Sequence, residues 1–278
     1  MAGPLLQAAE AWCLIRRLAR SDKTGPFPAD APEGPVITTF DDGSWELHRQ
    51  PADVEVADLL GSLLPLCHPV NRSLVYAQVG QSLDGRIATV TGASHYINGC
   101  DGLDHLHRLR AIADIVVVGA GTADSDNPQL TVRRVDGDNP DRAVIDPRRR
   151  VSPEQVVFDQ AAAPTFRLVG DAPCQADEIQ VTGESGSVTP ADIIRCLQAR
   201  GYRRIFIEGG SQTVSQFLHA GCLDHLHLIV APMIIGSGIP ALQLPEIDEL
   251  DGALRPETVP FRLGSDYLFD MRFRQPPF

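Results

Sequence analysis

No stretch of this sequence approaches the ~18 consecutive apolar residues of a membrane span. The longest candidates, residues 115–121 and 228–235, have the length of core strands. Cysteine is sparse: Cys13, Cys67, Cys100, Cys174, Cys196 and Cys222 include no C-x-x-C pair. That excludes a zinc knuckle and a disulfide framework and reads as reduced thiols, mostly small core hydrophobes. Cations are in deficit, since Lys+Arg 24 against Asp+Glu 36 leaves a formal charge of −12. Such a surface repels nucleic acid and anionic membranes at long range, and any anionic ligand needs a local cationic site. The N-terminal pattern is unlike a secretory signal, because Arg16, Arg17 and Arg20 follow the first apolar stretch and Glu10 interrupts it. A cytoplasmic protein is expected. What is present is ordinary for an enzyme: 43% hydrophobic and 22% charged residues over 278 positions suffice for one large core with an appendage.

The first 72 residues differ in texture from the rest. Leu5, Leu6, Ala9, Trp12, Cys13 and Ile15 recur at near-helical spacing and end in a basic turn, which predicts an amphipathic helix over 5–20. Residues 25–35 contain four prolines and read as a linker or wrapped arm. Asp41-Asp42-Gly43 predicts the turn of a small hairpin, and Asp53 a cap for a short helix to about residue 64. From residue 73 onward short aliphatic runs alternate with helical stretches, the signature of an α/β domain. Strands are predicted at 74–79, 115–118, 142–145, 165–169, 205–207 and 226–230. Helices are predicted at 102–113, 189–199 (with Thr189 as cap and Pro190 in the first turn) and 211–220. Residues 261–263 and 267–273 around Gly264-Ser265-Asp266 predict a closing hairpin.

Leu-Asp-His-Leu-His occurs at 103–107 and again at 223–227. In a helix His105 and His107 point about two hundred degrees apart and cannot share an ion. In a strand His225 and His227 share a face, but the sequence offers no third ligand nearby. No metal site is expected.

Two junctions have the form of an anion cradle. In one, the strand Arg204-Ile205-Phe206-Ile207-Glu208 runs into Gly209-Gly210 and then Ser211-Gln212-Thr213, where glycines admit a phosphate and a helix N-terminus offers free donors. Taken singly, such a junction is more often a tight turn. Glu208 favours a ligand site, because a carboxylate at the end of a parallel strand stands where open α/β sheets bind ligands. The other junction, Val118-Gly119-Ala120-Gly121-Thr122, is not the dinucleotide fingerprint, since Asp124 replaces its last glycine and no helix pattern opens there. A Rossmann dehydrogenase is disfavoured. Arg110 and Arg133 are candidates for gripping a phosphate, and the run Arg148-Arg149-Arg150 suits a ribose phosphate as well as it suits a solvated turn.

Six motifs in order carry a resemblance: Ser82-Leu83-Asp84-Gly85-Arg86-Ile87-Ala88, Gly92-Ala93-Ser94-His95-Tyr96-Ile97, His107-Arg108-Leu109-Arg110-Ala111, Val118-Gly119-Ala120-Gly121-Thr122, 126–133 and Glu208-Gly209-Gly210. Over about residues 73–270 the chain resembles the reductase domain of the bifunctional deaminase/reductase of riboflavin biosynthesis, whose fold is like dihydrofolate reductase. The deaminase signature, His-Ala-Glu with a later Pro-Cys-x-x-Cys, does not occur in these 278 residues. The resemblance implies a mostly parallel central sheet flanked by helices with a C-terminal β-hairpin, preceded by a small N-terminal extension. It implies NADPH-dependent reduction of 5-amino-6-(5-phosphoribosylamino)uracil at the ribosyl carbon, in a homodimer. Ser94, Arg110, Leu130, Arg133 and Glu208 then correspond to substrate contacts. Gly80, Tyr96, Thr122, Asp126 and the run from Gly210 through Ser211, Gln212 and Thr213 to Gln216 correspond to cofactor contacts; Gly209, from the glycine junction, and Arg148, from the arginine run, are the further cofactor candidates. Asp126 and Glu208 are the candidates for proton handling.

Three positions depart from the family pattern. Gln78 stands where lysine is common, Ser125-Asp126-Asn127-Pro128 where Ala-Asp-Asp-Pro is usual, and Pro147 where serine or threonine is usual. Gln78 keeps open a pterin-like or other pyrimidine substrate for the same fold and cofactor. The unplaced N-terminal region keeps open a non-catalytic assembly subunit.

Overall fold

Aliphatic runs that end in glycine become central strands when helices cover both faces of the sheet they join. The second part of the chain is built this way. The computed structural model describes residues 5–21, 23–28, 34–67, 73–94, 97–170, 175–181, 183 and 187–273. It divides into two compact units, Met1–Ser73 and Leu74–Phe278.

In the first unit α1 (Ala8–Ala19) opens on a capping box, with the Gln7 amide donating to Glu10 at 3.1 Å. Its stripe of Ala11, Trp12, Leu14, Ile15 and Leu18 is buried. The proline-rich segment does more than link: β1 (Gly25–Phe27) is the edge of a three-stranded antiparallel sheet with β2 (Ile37–Thr39) and β3 (Trp45–Leu47). An edge tolerates Pro26, whose missing N–H would break a central ladder. Gly43 closes the β2–β3 turn at φ 84°. In α2 (Val54–Cys67) Asp53 accepts the Val56 amide at 2.9 Å, as the cap reading requires. The helix outruns its expected end at residue 64, with Pro65 inside its last turn.

The second unit runs β4 (Leu74–Ser82), β5 (Arg86–Thr89), α3 (Cys100–Ile112), β6 (Ile115–Gly119), α4 (Ala120–Asp126), β7 (Asp141–Ile145), β8 (Thr165–Val169), β9 (Glu178–Gln180), α5 (Pro190–Gln198), β10 (Arg204–Glu208), α6 (Ser211–His219), β11 (His225–Ala231), β12 (Gly238–Pro240), β13 (Glu257–Leu263) and β14 (Asp266–Arg272). Nine strands form one sheet in the order β13-β14-β11-β4-β10-β6-β7-β8-β9. The seven from β11 to β9 are parallel, while β14 and β13 add an antiparallel hairpin at the edge. This is the topology that the resemblance implied.

One face of the sheet is apolar. Val75, Ala77, Val79, Ile115, Val117, Ile205, Ile207 and Leu226 pack with Ile193 and Leu197 of α5 and Val214 and Phe217 of α6. Thr189 caps α5 by accepting the Asp192 amide at 3.2 Å, ahead of Pro190 at the first turn. On the other face Tyr76 stacks on Phe206 at 5.2 Å and donates its hydroxyl to the Leu109 carbonyl of α3 at 3.0 Å.

Some elements differ from expectation. A short helix, α4, forms where the sequence shows no helical pattern, because it buries only Ala123 and so carries no apolar stripe. β5 and β12 pair with each other outside the main sheet, and β9 extends its edge; three- and four-residue strands leave little periodicity to read.

Arg142 of β7 is fully buried, and its guanidinium donates to the carbonyls of Gln129, Asp159 and Ala163. It gathers two loops on one side chain. Arg142→Ala strands those carbonyls, so urea unfolding is expected to show a loss of about 3 kcal/mol; a change below ~1 kcal/mol would show that water replaces the guanidinium.

Candidate active site

Parallel strands leave a crevice beyond their C-terminal ends, and two of the strand-to-helix junctions meet there. Gly119 ends β6 and caps α4; Gly210 follows β10 and caps α6. The Gly210 amide donates to Thr122 Oγ1 at 3.0 Å. In the other direction, a Cβ on Gly119 would lie 2.3 Å from Thr213 Oγ1. Each glycine thus makes room for the first turn of the other helix, and both helices turn their positive N-terminal ends to one place. Between them lies an open cleft of about 630 Å³, which also takes in Ser94, Asp126, Arg150, Ser211 and Gln212.

Arg150 reaches this cleft because of Asp146. That buried carboxylate accepts the backbone amides of Arg150 at 2.8 Å and Val151 at 2.9 Å and pairs with Arg167 at 3.2 Å. The loop after β7 is wound around it. Of the three consecutive arginines, Arg149 is tied to Glu178 at 2.7 Å and Arg148 is exposed outside the cleft.

A second group gathers on the α3 side of β10. Arg110 meets Glu208 in a two-pronged pair at 2.7 and 2.6 Å and donates to the Thr131 carbonyl at 2.8 Å. Arg133 bonds the Thr131 hydroxyl at 2.6 Å, and its backbone amide donates to His107 Nδ1 at 3.0 Å. Leu130 is buried at φ 54°, a left-handed turn that brings the loop back over α3. Burial, and then the charges of Arg110, Arg133 and Arg134, push His107 down to about 4, with Asp104 opposing. A neutral imidazole therefore offers its Nδ1 lone pair to Arg133.

The sequence candidates fall into three sets. Ser94, Thr122, Asp126, Gly210, Ser211, Gln212 and Thr213 line the cleft, and Gly209 joins them to Glu208. Arg110, Leu130, Arg133 and Glu208 form the adjoining group. Gly80 and Arg148 are not cleft residues; a Cβ on Gly80 would meet Asn98 Oδ1 at 1.7 Å, so this glycine admits a neighbouring side chain. Tyr96 lies outside the described residues. Sequence reasoning missed His107 and Gln243, whose side chain donates to Ser211 Oγ at 3.2 Å. His107 stands in one of the six motifs, whose pattern assigns it no role, and nothing near Gln243 marks it. Gln78 faces the same side as Glu208, its register neighbour, and its Oε1 is buried with no hydrogen-bond partner.

A parallel sheet with an antiparallel C-terminal hairpin, and a glycine-cradled cleft at its strand ends, define a reductase-type domain of dihydrofolate-reductase-like topology. The chain belongs to the RibD C-terminal domain family, whose model residues 73–261 match. It is similar to the 2,5-diamino-6-ribosylamino-4(3H)-pyrimidinone 5′-phosphate reductase of Methanothermobacter thermautotrophicus, with 34% identity over 213 residues, 72% of this chain and 97% of that one. It is also similar to the riboflavin biosynthesis protein RibD of Corynebacterium ammoniagenes, with 32% identity over 184 residues, 66% of this chain and 50% of that protein. The chain spans about half the length of the RibD relatives it matches. Among solved structures, the deaminase/reductase of Thermotoga maritima superposes with a TM-score of 0.61 at 27% identity, covering 78% of this chain and 61% of that one.

A histidine held below its unfolded value of about 6.5 adds stability that is complete above that pH and is lost as pH falls toward the folded value. For His107 the window is from about 6.5 down to about 4. Urea titrations across this range are expected to show declining stability, with His107→Gln removing part of the decline; an unchanged slope in the variant would mean that His107 is protonated in the fold.

Proposed function

We propose that this chain is an NADPH-dependent reductase of 5-amino-6-(5-phosphoribosylamino)uracil, converting its ribosyl group to ribityl. The observation that carries this reading is the interlock of two helix N-termini beside the Arg110–Glu208–Arg133 group: a backbone cradle for a pyrophosphate next to cations for a sugar phosphate.

The residues present fit the dinucleotide. A Cβ at Gly210 would stand 3.2 Å from Thr122 Oγ1, so the cradle is open because no side chain fills it. Thr122, Ser211, Gln212 and Thr213 supply donors along the cleft, and Arg150 is the cation there that matches a ribose phosphate. When bound, NADPH supplies a hydride to the sugar-derived carbon. The protein's part is to orient and to neutralise. Arg133 takes the substrate phosphate, and Arg110 holds Glu208 and the Thr131 loop in register. Both oxygens of Glu208 are engaged by Arg110, which leaves Asp126, exposed at the cleft, as the freer group for proton transfer. Among the described residues no helix is long and apolar enough to cross a membrane; a cytoplasmic homodimer belongs to the same reading.

A second reading rests on the Methanothermobacter enzyme, of which the alignment covers 97%: the substrate is then the 2,5-diamino compound that this relative's name gives. Initial rates of NADPH oxidation with both pyrimidines decide between them. Arg133→Ala is expected to raise KM for either phosphorylated substrate about 10–100-fold, the value of one charge-assisted contact. Gly210→Glu is expected to abolish NADPH binding followed by cofactor fluorescence. Turnover with neither pyrimidine, or intact NADPH binding in Gly210→Glu, would overturn the assignment.

A further inference from the structure

Of the repeated Leu-Asp-His-Leu-His only His107 belongs to the reductase site, and the structure brings the other histidines of the two copies together away from it. β11 presents His225 and His227 on the face covered by α3, and His105 from the first copy meets His227 there, Nε2 to Nδ1 at 2.8 Å. The third ligand that the sequence did not reveal comes from β14. Antiparallel pairing sets Asp270 opposite His227 and Arg272 opposite His225. His225 Nδ1 lies 2.8 Å and His227 Nε2 3.6 Å from Asp270 Oδ1.

We propose that His225 Nδ1, His227 Nε2 and Asp270 Oδ1 form a buried binding site for one divalent first-row cation of the zinc class.

Three observations carry this. The three donor atoms lie within 4.8 Å of one another and belong to buried residues. Two ligands each about 2.0–2.2 Å from a tetrahedral ion stand roughly 3.3–3.6 Å apart. The His227–Asp270 separation of 3.6 Å lies within that range and the His225–Asp270 separation of 2.8 Å below it, so His225 and Asp270 part by about half an ångström to admit the ion. His227 is fully buried, and its Nε2 has no hydrogen-bond partner, being beyond bonding distance of Asp270. A nitrogen left this way is costly in either tautomer. With Nδ1–H donating to His105, Nε2 turns a lone pair toward His225 and Asp270, which a cation satisfies.

The surroundings follow the second-shell pattern of metal histidines and carboxylates. His105 fixes the His227 ring. Arg272 Nε holds the other oxygen of Asp270 at 2.8 Å, leaving Oδ1 as a single ligand atom, and Glu257 stands 3.7 Å from Arg272 to offset its charge. Two imidazoles and one carboxylate leave a fourth position for water, a donor set suited to zinc. The competing description is a chain of hydrogen bonds alone, Arg272 to Asp270 to His225, with a water at His227.

Tag-free full-length protein, stripped with a chelator and then titrated with zinc, separates the two. A bound cation predicts one zinc per chain retained through dialysis, by plasma mass spectrometry, and a Tm about 5 °C or more above the stripped protein. Cobalt substitution predicts the visible absorption of a tetrahedral site. His227→Ala and Asp270→Asn are expected to lose at least nine-tenths of the bound metal, while His219→Ala, on the exposed end of α6, retains it. No retained zinc and no Tm shift in the unmutated chain overturns the proposal even if the variants fail to fold. Zinc retained by folded His227→Ala overturns it as well. None of these readouts needs NADPH or a pyrimidine, so they stand apart from the reductase assignment.

Discussion

The pair between Arg110 and Glu208 fixes where everything else in the site lies. Arg110 is 5% exposed and its guanidinium is fully committed, two prongs to Glu208 and one to the Thr131 carbonyl. It therefore joins the end of α3, the end of β10 and the loop that carries Arg133. A buried ion pair of this kind adds little net stability, because desolvation offsets most of the attraction. Its consequence is geometric: Glu208 immediately precedes the Gly209-Gly210 turn, so the pair also sets the start of α6. The Arg133 cation and the Gly209-Gly210 turn are positioned by one side chain.

The sheet's two faces divide the work. The face under α5 and α6 is aliphatic and supplies the burial that holds the fold. The face under α3 carries a polar row across adjacent strands, Glu208 of β10, Gln78 of β4, His227 of β11 and Asp270 of β14, each the register partner of the next. α3 answers this row at two places, with Arg110 over Glu208 and His105 over His227. Glu208 and His227 are tolerated in this covered face because each finds a partner on α3, and Asp270 because His225 and Arg272 bond it.

The parallel strands were legible because burial on both faces turns them into continuous apolar runs, as at residues 115–118 and 205–207. The glycine junctions were legible because only glycine lets helix and strand approach so closely. What escaped depended on distance along the chain. Nothing local separates Arg150, aimed at the cleft by Asp146, from Arg148 beside it. Nothing near the second pentapeptide announces Asp270, which arrives only through antiparallel pairing with a strand some forty residues on. α4 escaped because a seven-residue helix with one buried side chain has no period to detect.

The middle member of the polar row links the two ends. The resemblance implied lysine at position 78, and the chain carries there a neutral amide between Glu208 and His227. Adjacent strands are about 4.8 Å apart. A dication held by His225, His227 and Asp270 would meet an ammonium at 78 across roughly one such spacing, a repulsion of several kcal/mol even at an effective dielectric of ~20. On the proposed cation site, a glutamine at 78 avoids that conflict. The same residue leaves position 78 without a positive charge. On the proposed reading, recognition of an anionic substrate then falls to Arg133 and to the Arg110 that positions it.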